Sequence, residues 1–297
     1  MDQEQWLAER FETERPRLRA VAYRMLGSLA EADDAVQDAW LRLSRTGAGE
    51  VHNLGGWLTT IVARVCLNRL RSRRIRKEES LEARLPDPVV SRDEALQPEE
   101  QALLADSVGL AVLVVLDTLA PTERLAFVLH DVFDYPFAEI ASLIGRSPDA
   151  TRQLASRARR RVKAAKVPVP DQDRERQWAV VDAFFSAARA GDLDNLVSLL
   201  DPNVVLRSDF GRGRPPVPPL IRGAEQVAKS ALFGATLPNT ELHPALVNGA
   251  AGVVITARGR PFVIMGFIVS NGRIVEIDAI ADSIRVSRIA ASVLSSR

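Results

Sequence analysis

Residues 137–161 read FAEIASLIGRSPDATRQLASRARRR, and that stretch decides what the rest of the chain has to support. Phe137 to Ile144 has the pattern of a short helix, closed by Gly145 at the position where a left-handed residue ends a helix. Ser147 follows as an N-cap, with Pro148 at the first position of a new helix. Helix, a short turn containing glycine, then a second helix is the helix-turn-helix arrangement. On the second helix Thr151, Ala155, Ala158 and Val162 fall at i, i+4, i+7 and i+11, a narrow inward stripe of small residues suited to tight helix packing. The outward positions hold Arg152, Gln153, Ser156, Arg157, Arg159 and Arg160, side chains suited to a DNA groove. A helix pair can exist for packing alone, but this concentration of DNA-compatible groups on the free face favours a nucleic acid.

Charge along the chain supports that direction. The formal net charge of +1 averages over blocks of opposite sign. Four acids stand in the eight residues Glu31–Asp38, whereas Arg64–Lys77 holds seven basic residues and no acid. Residues 152–166 repeat that acid-free basic composition. Solvated helix faces ordinarily mix signs to gain i,i+4 pairs, so two one-sign helices in a near-neutral chain point to a polyanion. The strong arginine-over-lysine bias is read first as a trait of a GC-rich genome.

With 297 residues the chain has room for two or three compact domains. Its hydrophobic share of 46% is that of a globular protein, and no apolar run approaches the roughly 20 residues that span a bilayer. The acidic, polar start MDQEQWLAERFE lacks the features of a secretory signal. A single cysteine, Cys66, excludes an internal disulfide and a thiolate zinc cluster, and His52, His130 and His243 have no metal-ligand spacing. A cytoplasmic protein is expected, with no metal, no cofactor and no membrane partner.

Working outward from the helix-turn-helix, residues 1–77 read as helices, with Gly27-Ser28 and Thr46 to Gly49 as breaks. Apolar stripes run through Leu18, Val21, Ala22 and Met25, through Ala35, Val36, Ala39, Trp40 and Leu43, and through Trp57, Leu58, Ile61, Val62, Val65 and Leu70. Residues 78–99, with Pro86, Pro88, Pro98 and many acids, form a linker, within which Leu85-Pro86-Asp87-Pro88 is expected to be stiff and exposed. A second helical unit spans residues 100–166, and Val167-Pro168-Val169-Pro170 is an extended spacer. Residues 174–285 change character. An amphipathic helix pair covers 174–200, broken at Gly191-Asp192, and β signals then dominate to the Asn271-Gly272 hairpin turn and beyond. Two all-α modules followed by an α+β domain with a curled antiparallel sheet is the expected fold.

The run Asp33-Asp34-Ala35-Val36-Gln37-Asp38-Ala39-Trp40-Leu41-Arg42-Leu43 resembles region 2.2 of an extracytoplasmic-function sigma factor of the sigma-70 family. Gly56 to Arg64 and Asn68 to Arg74 resemble regions 2.3 and 2.4, and Leu116-Asp117-Thr118-Leu119 through Val162 resembles region 4. The resemblance covers residues 1–166, and its strength lies in the ordered set of motifs rather than in any one. It implies that Asp34, Gln37, Asp38 and Leu41 meet the β′ clamp of RNA polymerase core. It also implies that Asn53, Arg64, Asn68, Arg69, Arg71, Arg73 and Arg74 serve the −10 element, with a pocket for an unstacked base around Thr46–Gly55. The −35 element would fall to Arg152, Gln153, Ser156, Arg157, Arg159 and Arg160. Phosphate contacts by the arginines, Arg161 among them, carry affinity, and Arg152, Gln153 and Ser156 read base edges.

The remainder, most clearly Trp178 to Ser208, resembles a cone-shaped SnoaL-like domain of the nuclear-transport-factor-2-like superfamily. A sigma-factor subgroup carries this extension as a regulator in cis. Leu85-Pro86-Asp87-Pro88 is similar to that subgroup's linker motif, with Arg84 where a tryptophan usually leads. Asp209-Phe210-Gly211-Arg212-Gly213 stands at its aspartate–glycine loop, which Phe210 and Arg212 interrupt. Asp282-Ser283-Ile284-Arg285 departs from its C-terminal Asn-Pro motif. These residues (Leu85, Pro86, Asp87, Pro88, Asp209, Gly211 and Gly213) are the expected regulatory linker and loop. The expected partners are core polymerase and promoter DNA, with an unknown small ligand for the cone. Two rival readings stand beside this one. The first is a SnoaL-like enzyme using Asp209, His243 or Asp278, and the second is a ligand-sensing helix-turn-helix regulator, which would have no use for the acidic helix.

Overall fold

The computed structural model describes residues 3–46, 53–77, 85–92, 110–211 and 218–294. They fall into two compact units, one built from 3–77 and 110–167 and the other from 85–92 and 168–294. Among the described residues no helix is long and apolar enough to cross a membrane, and no cluster of three or more His, Cys, Asp or Glu could hold a metal ion.

The first unit is helical. Helices α1 (Gln3–Leu26), α2 (Leu29–Thr46) and α3 (Leu54–Lys77) pack on the apolar stripes seen in the sequence, and Leu18, Val21, Ala35, Leu43, Leu58 and Val62 are buried. Gly27 sits at φ 69°, the left-handed turn that lets α2 fold back on α1. Residues 110–167 contribute α4 (Leu110–Asp117), α5 (Pro121–Phe127), α6 (Phe137–Ile144) and α7 (Pro148–Ala164). Helix α5 runs on into a wider π turn, Val128–Val132, which the periodicity did not announce. Gly145 closes α6 at φ 69°, and the Ser147 hydroxyl accepts from the Ala150 N–H at 3.2 Å to cap α7. The inward stripe is buried at Thr151, Ala155 and Ala158 and half-buried at Val162.

These helices are joined into one body by polar groups that reach between sequence-distant segments. Arg124 is 2% exposed; its Nε donates to the Arg24 carbonyl at 2.9 Å, and its Nη1 pairs with Asp117. The Tyr135 hydroxyl donates to Thr59 Oγ1 at 2.7 Å, and the Arg17 guanidinium lies over the Tyr135 ring. Buried donors met in this way hold a defined geometry, because each would be costly to leave alone.

The second unit is a curled sheet of β1 (Val90–Ser91), β2 (Leu200–Asp209), β3 (Leu220–Arg222), β4 (Thr240–Val247), β5 (Ala250–Ala257), β6 (Arg260–Ser270) and β7 (Arg273–Ile280). The strand order is β1-β4-β5-β6-β7-β2-β3. Helices α8 (Arg174–Ala190), α9 (Leu193–Leu199) and α10 (Ala224–Ala235) cover one face, where Phe184, Leu196, Val204, Leu206, Val253, Phe267 and Ile277 form the core. Asn271 and Gly272, at φ 53° and 73°, make the tight hairpin turn that the sequence announced.

Three expectations are corrected. The sheet is not wholly antiparallel: β2 and β7 pair in parallel, because the chain leaves β3 through α10 and returns across three further strands. The segment Leu85–Pro88 is buried rather than exposed, and it leads into β1, which pairs antiparallel with the edge strand β4 at Val90–Val247 and Ser91–Leu246. The fold also continues past residue 285, through α11 (Ser283–Ile289) and α12 (Ala291–Leu294), with Val286, Ala290 and Val293 buried.

Candidate nucleic-acid interface and the Arg285 cluster

On α2 the residues Asp34, Gln37 and Leu41 are exposed and Asp38 is half-buried. Arg69 of α3 reaches across to them, with Nη1 3.7 Å from Asp34 Oδ2, Nη2 3.3 Å from Asp38 Oδ2, and a hydrogen bond to the Glu31 carbonyl. Arg73 pairs with the Glu31 carboxylate and donates to the Leu26 carbonyl at 2.9 Å. Two of the arginines assigned to phosphates therefore tie α3 to α2. Gln37 also borders a groove of about 390 Å³ lined with it by Phe11, Arg15, Asp33, Val36 and Trp40.

Arg64, Asn68, Arg71 and Arg74 project from α3 into solvent, and the three arginines have no ion pair among the described residues. Asn53 caps the same helix, its Oδ1 accepting from the Gly56 N–H at 2.9 Å. Most of the loop assigned to the base pocket, residues 47–52, lies outside the described residues. Cys66 is fully buried on α3, and burial pushes its thiol up to about 12, so it is an inert core residue.

Helix α7 presents Arg152, Gln153, Ser156, Arg157 and Arg160 to solvent. Arg152 Nη1 lies 2.5 Å from Asp149 Oδ1, and its guanidinium sits 5.8 Å from the Phe137 ring centre. Arg159 turns back to Asp131 at 2.6 Å, and Arg161 to Glu123 at 2.9 Å, so these two brace α7 against the preceding helices. Arg157 and Arg160 carry no ion pair among the described residues.

In the second unit Arg285 organises a buried cluster. Its side chain is 5% exposed and forks three ways, with Nε to Asp87 Oδ1 at 2.6 Å, Nη1 to Asp209 Oδ2 at 2.5 Å and Nη2 to the Leu85 carbonyl at 2.6 Å. Asp209 Oδ2 also accepts the Leu85 N–H at 2.8 Å, and its Oδ1 takes the Gly211 N–H at 2.9 Å. Arg288 donates to the second oxygen of Asp87 at 2.8 Å. Further along, the Val89 N–H donates to Asn248 Oδ1 at 2.6 Å, and the Val89 carbonyl accepts the Asn248 N–H at 2.8 Å. Leu85 and Val89 of the docked segment are thus held through their backbone groups, the usual way an extended peptide is held at a sheet edge.

Gly211 is required at this cluster twice over. Its φ is 64°, and a Cβ there would strike the carboxylate of Asp282, which caps α11 through the N–H groups of Ile284 and Arg285. Gly213 lies outside the described residues, while Pro86 and Pro88 are buried beside Asp87. Arg285, Arg288, Asn248 and Asp149 were missed by sequence reasoning. The turn dipeptide Asn248-Gly249 could have pointed to Asn248, but nothing local marks an arginine in a seven-residue helix.

A second charged group lies on the same face of the sheet. Arg207 pairs with Glu276 at 2.5 Å and with Asp278 at 3.1 Å. Burial, with Glu276 alongside, pushes the Asp278 carboxyl up to about 7. His243 lies 3.1 Å from the Thr256 hydroxyl.

Models of known families match two parts of the chain, Sigma-70 region 2 over residues 10–75 and Sigma-70, region 4 over residues 109–162. The ECF RNA polymerase sigma factor SigJ of Mycobacterium tuberculosis H37Rv is 39% identical over 252 residues, covering 82% of this chain and 78% of SigJ. The probable ECF sigma factor SigI of the same organism is 31% identical over 257 residues, covering 86% of this chain and 87% of SigI. The crystal structure of Mycobacterium tuberculosis SigJ superposes with a TM-score of 0.74 at 35% identity, over 94% of this chain and 97% of that one. The likeness thus runs through both helical modules and on into the C-terminal α+β domain, and the chain belongs to the extracytoplasmic-function sigma factors of RNA polymerase.

Proposed function

We propose that this sigma factor is controlled in cis by its SnoaL-like domain, which grips the segment joining the two promoter-binding modules. The single observation that carries the reading is the Arg285 fork, which holds Leu85, Asp87 and Asp209 in one buried cluster. Residues 85–91 belong to the only covalent path between α3 and α4, so fixing them on the cone removes length from the tether that sets the reach between the modules. Core polymerase and promoter DNA need that reach, and binding them shifts the population toward the released form.

In this reading Asp34, Gln37, Asp38 and Leu41 meet the clamp, a negative and partly apolar face for a basic partner surface. Arg64, Asn68, Arg71 and Arg74 serve the −10 element, and Arg152, Gln153, Ser156, Arg157 and Arg160 the −35 element. The enzyme alternative is weakened because Asp209 and Asp278 are each engaged by an arginine, Arg285 and Arg207. Sigma factors are not enzymes.

Transcription in vitro with purified core tests the control. Arg285→Ala, and a chain ending near Val167, are each expected to bind core more readily and to initiate more transcripts than the full-length protein. Equal core affinity and equal transcript yield for all three would refute regulation through this seat.

A further inference from the structure

We propose that Asp149 is a positioning residue for base recognition, holding the Arg152 guanidinium ready for a guanine in the −35 element. The inference rests on the reading of α7 as the helix that enters the major groove. In a helix, residues at i, i+3, i+4 and i+7 share one face, and Asp149, Arg152, Gln153 and Ser156 stand in that relation. An acid on a face meant for phosphates is unfavourable for affinity, and Asp149 is the only one between Ser147 and Lys166. Its place in the first turn suits the helix dipole, but that benefit would be available without contact to any particular arginine.

The contact made is specific. Asp149 Oδ1 meets Arg152 Nη1 at 2.5 Å, while the Phe137 ring of α6 lies 5.8 Å beneath the same guanidinium. Arg152 is thereby held from two sides, by a carboxylate on its own helix and by an aromatic ring on the preceding one. Among the outward residues of α7 this treatment is given to Arg152, while Arg157 and Arg160 carry no ion pair among the described residues. Arg159 and Arg161 are tied instead to Asp131 and Glu123. An ion pair this exposed adds little to stability, so its effect is one of orientation. An arginine fork fixed before binding loses little freedom when it meets a planar pair of acceptors, and in the major groove that pair is O6 and N7 of guanine.

The test uses holoenzyme on a set of promoters in which each −35 base is changed in turn. Arg152→Ala is expected to abolish the preference for guanine at one position. Asp149→Ala is expected to lower discrimination at that same guanine by about three- to tenfold, short of the full loss of a bidentate contact. Binding to unrelated DNA should be unchanged or tighter, and helical content by circular dichroism unchanged, which a merely structural role for Asp149 would not produce. If Arg152→Ala removes the guanine preference while Asp149→Ala leaves it intact, the positioning role is overturned and the recognition helix stands. If Asp149→Ala instead alters selectivity only at a cytosine, Asp149 reads a base itself and the proposal is again overturned. If Arg152→Ala changes no position, the reading of α7 falls, and the proposal falls with it.

Discussion

The two faces of the C-terminal sheet are built on opposite principles. Against α8, α9 and α10 the strands turn Val204, Leu206, Val253, Phe267 and Ile277, and Phe267 packs edge-on to Phe184 and Phe185. The alternate residues of the same strands include Arg207, Asp209, Glu276 and Asp278, which meet opposite charges rather than carbon: Arg207 pairs with Glu276 and Asp278, and Asp209 with Arg285. One face is a dry core, indifferent to partner identity as long as volume is filled. The other carries charged groups, and at Arg285 and Asp209 they are completed by a particular segment with an aspartate at the right position. A domain that needed only stability would have gained as much from apolar residues there, because buried ion pairs are a weak source of net stability. The charged face is better understood as a means of choosing what docks.

The largest effects should come from breaking each face at its centre. Phe267→Ala is expected to destabilise the second unit by about 3–5 kcal/mol through the lost transfer and the cavity. Arg285→Ala should cost a similar amount, about 3–5 kcal/mol, because it leaves Asp209 buried without its counter-ion and Asp87 with the half-exposed Arg288 in place of two arginines. Hydrogen exchange separates the two. Arg285→Ala should expose the amides of Leu85 and Val89 well before global unfolding, whereas Phe267→Ala should lower protection across the unit together. Identical exchange patterns for both variants would erase the distinction between core and seat.

A smaller effect sharpens the contrast through pH. Asp278 titrates near 7 in the folded protein, above the ordinary aspartate value of about 3.9 in the unfolded chain. Between those values the native state holds a proton that the unfolded state has lost, so stability falls as pH rises through the window and levels off above 7. Asp278→Asn stays neutral throughout. Relative to wild type it should gain up to about 2–3 kcal/mol in unfolding free energy between pH 5 and pH 8, read from denaturant melts at each pH. A constant difference across that range would mean that Asp278 is ionised in the fold at pH 5.

Much of the architecture was legible because it depends on local signals. The stripes of α1 to α3, the caps Gly145 and Ser147 and the turn at Asn271-Gly272 each act within a few residues of themselves. What escaped depends on partners far along the chain. Leu85-Pro86-Asp87-Pro88 read as exposed because proline-rich, acidic segments usually are, and its burial follows from Arg285, about 200 residues away. The parallel pairing of β2 with β7 escaped for the same reason, since a strand's pattern records which face is buried and not which neighbour it has. On the nucleic-acid side the basic runs were plain, but composition did not separate arginines that face solvent, such as Arg71 and Arg157, from Arg69 and Arg159, which meet carboxylates of their own unit.

The smallest effect is expected at Arg288, and it tests how much of the seat is recognition rather than stability. Arg288 meets the same aspartate as Arg285, with Nη2 2.8 Å from Asp87 Oδ2, but its side chain is 50% exposed where that of Arg285 is 5% exposed. Solvent screens it, and the ion pair should contribute about 0–1 kcal/mol to unfolding stability. Its geometric role is larger than that figure, because Arg285 occupies one oxygen of Asp87 and Arg288 the other, fixing the rotation of the carboxylate. Arg288→Ala should therefore leave the melting curve within about 1 kcal/mol of wild type. It should still speed exchange at the Leu85 and Val89 amides, by less than Arg285→Ala does, and added salt should narrow the gap to wild type. No change in exchange at either amide would mean that Arg285 alone holds the segment and that Arg288 is a surface charge that happens to lie nearby.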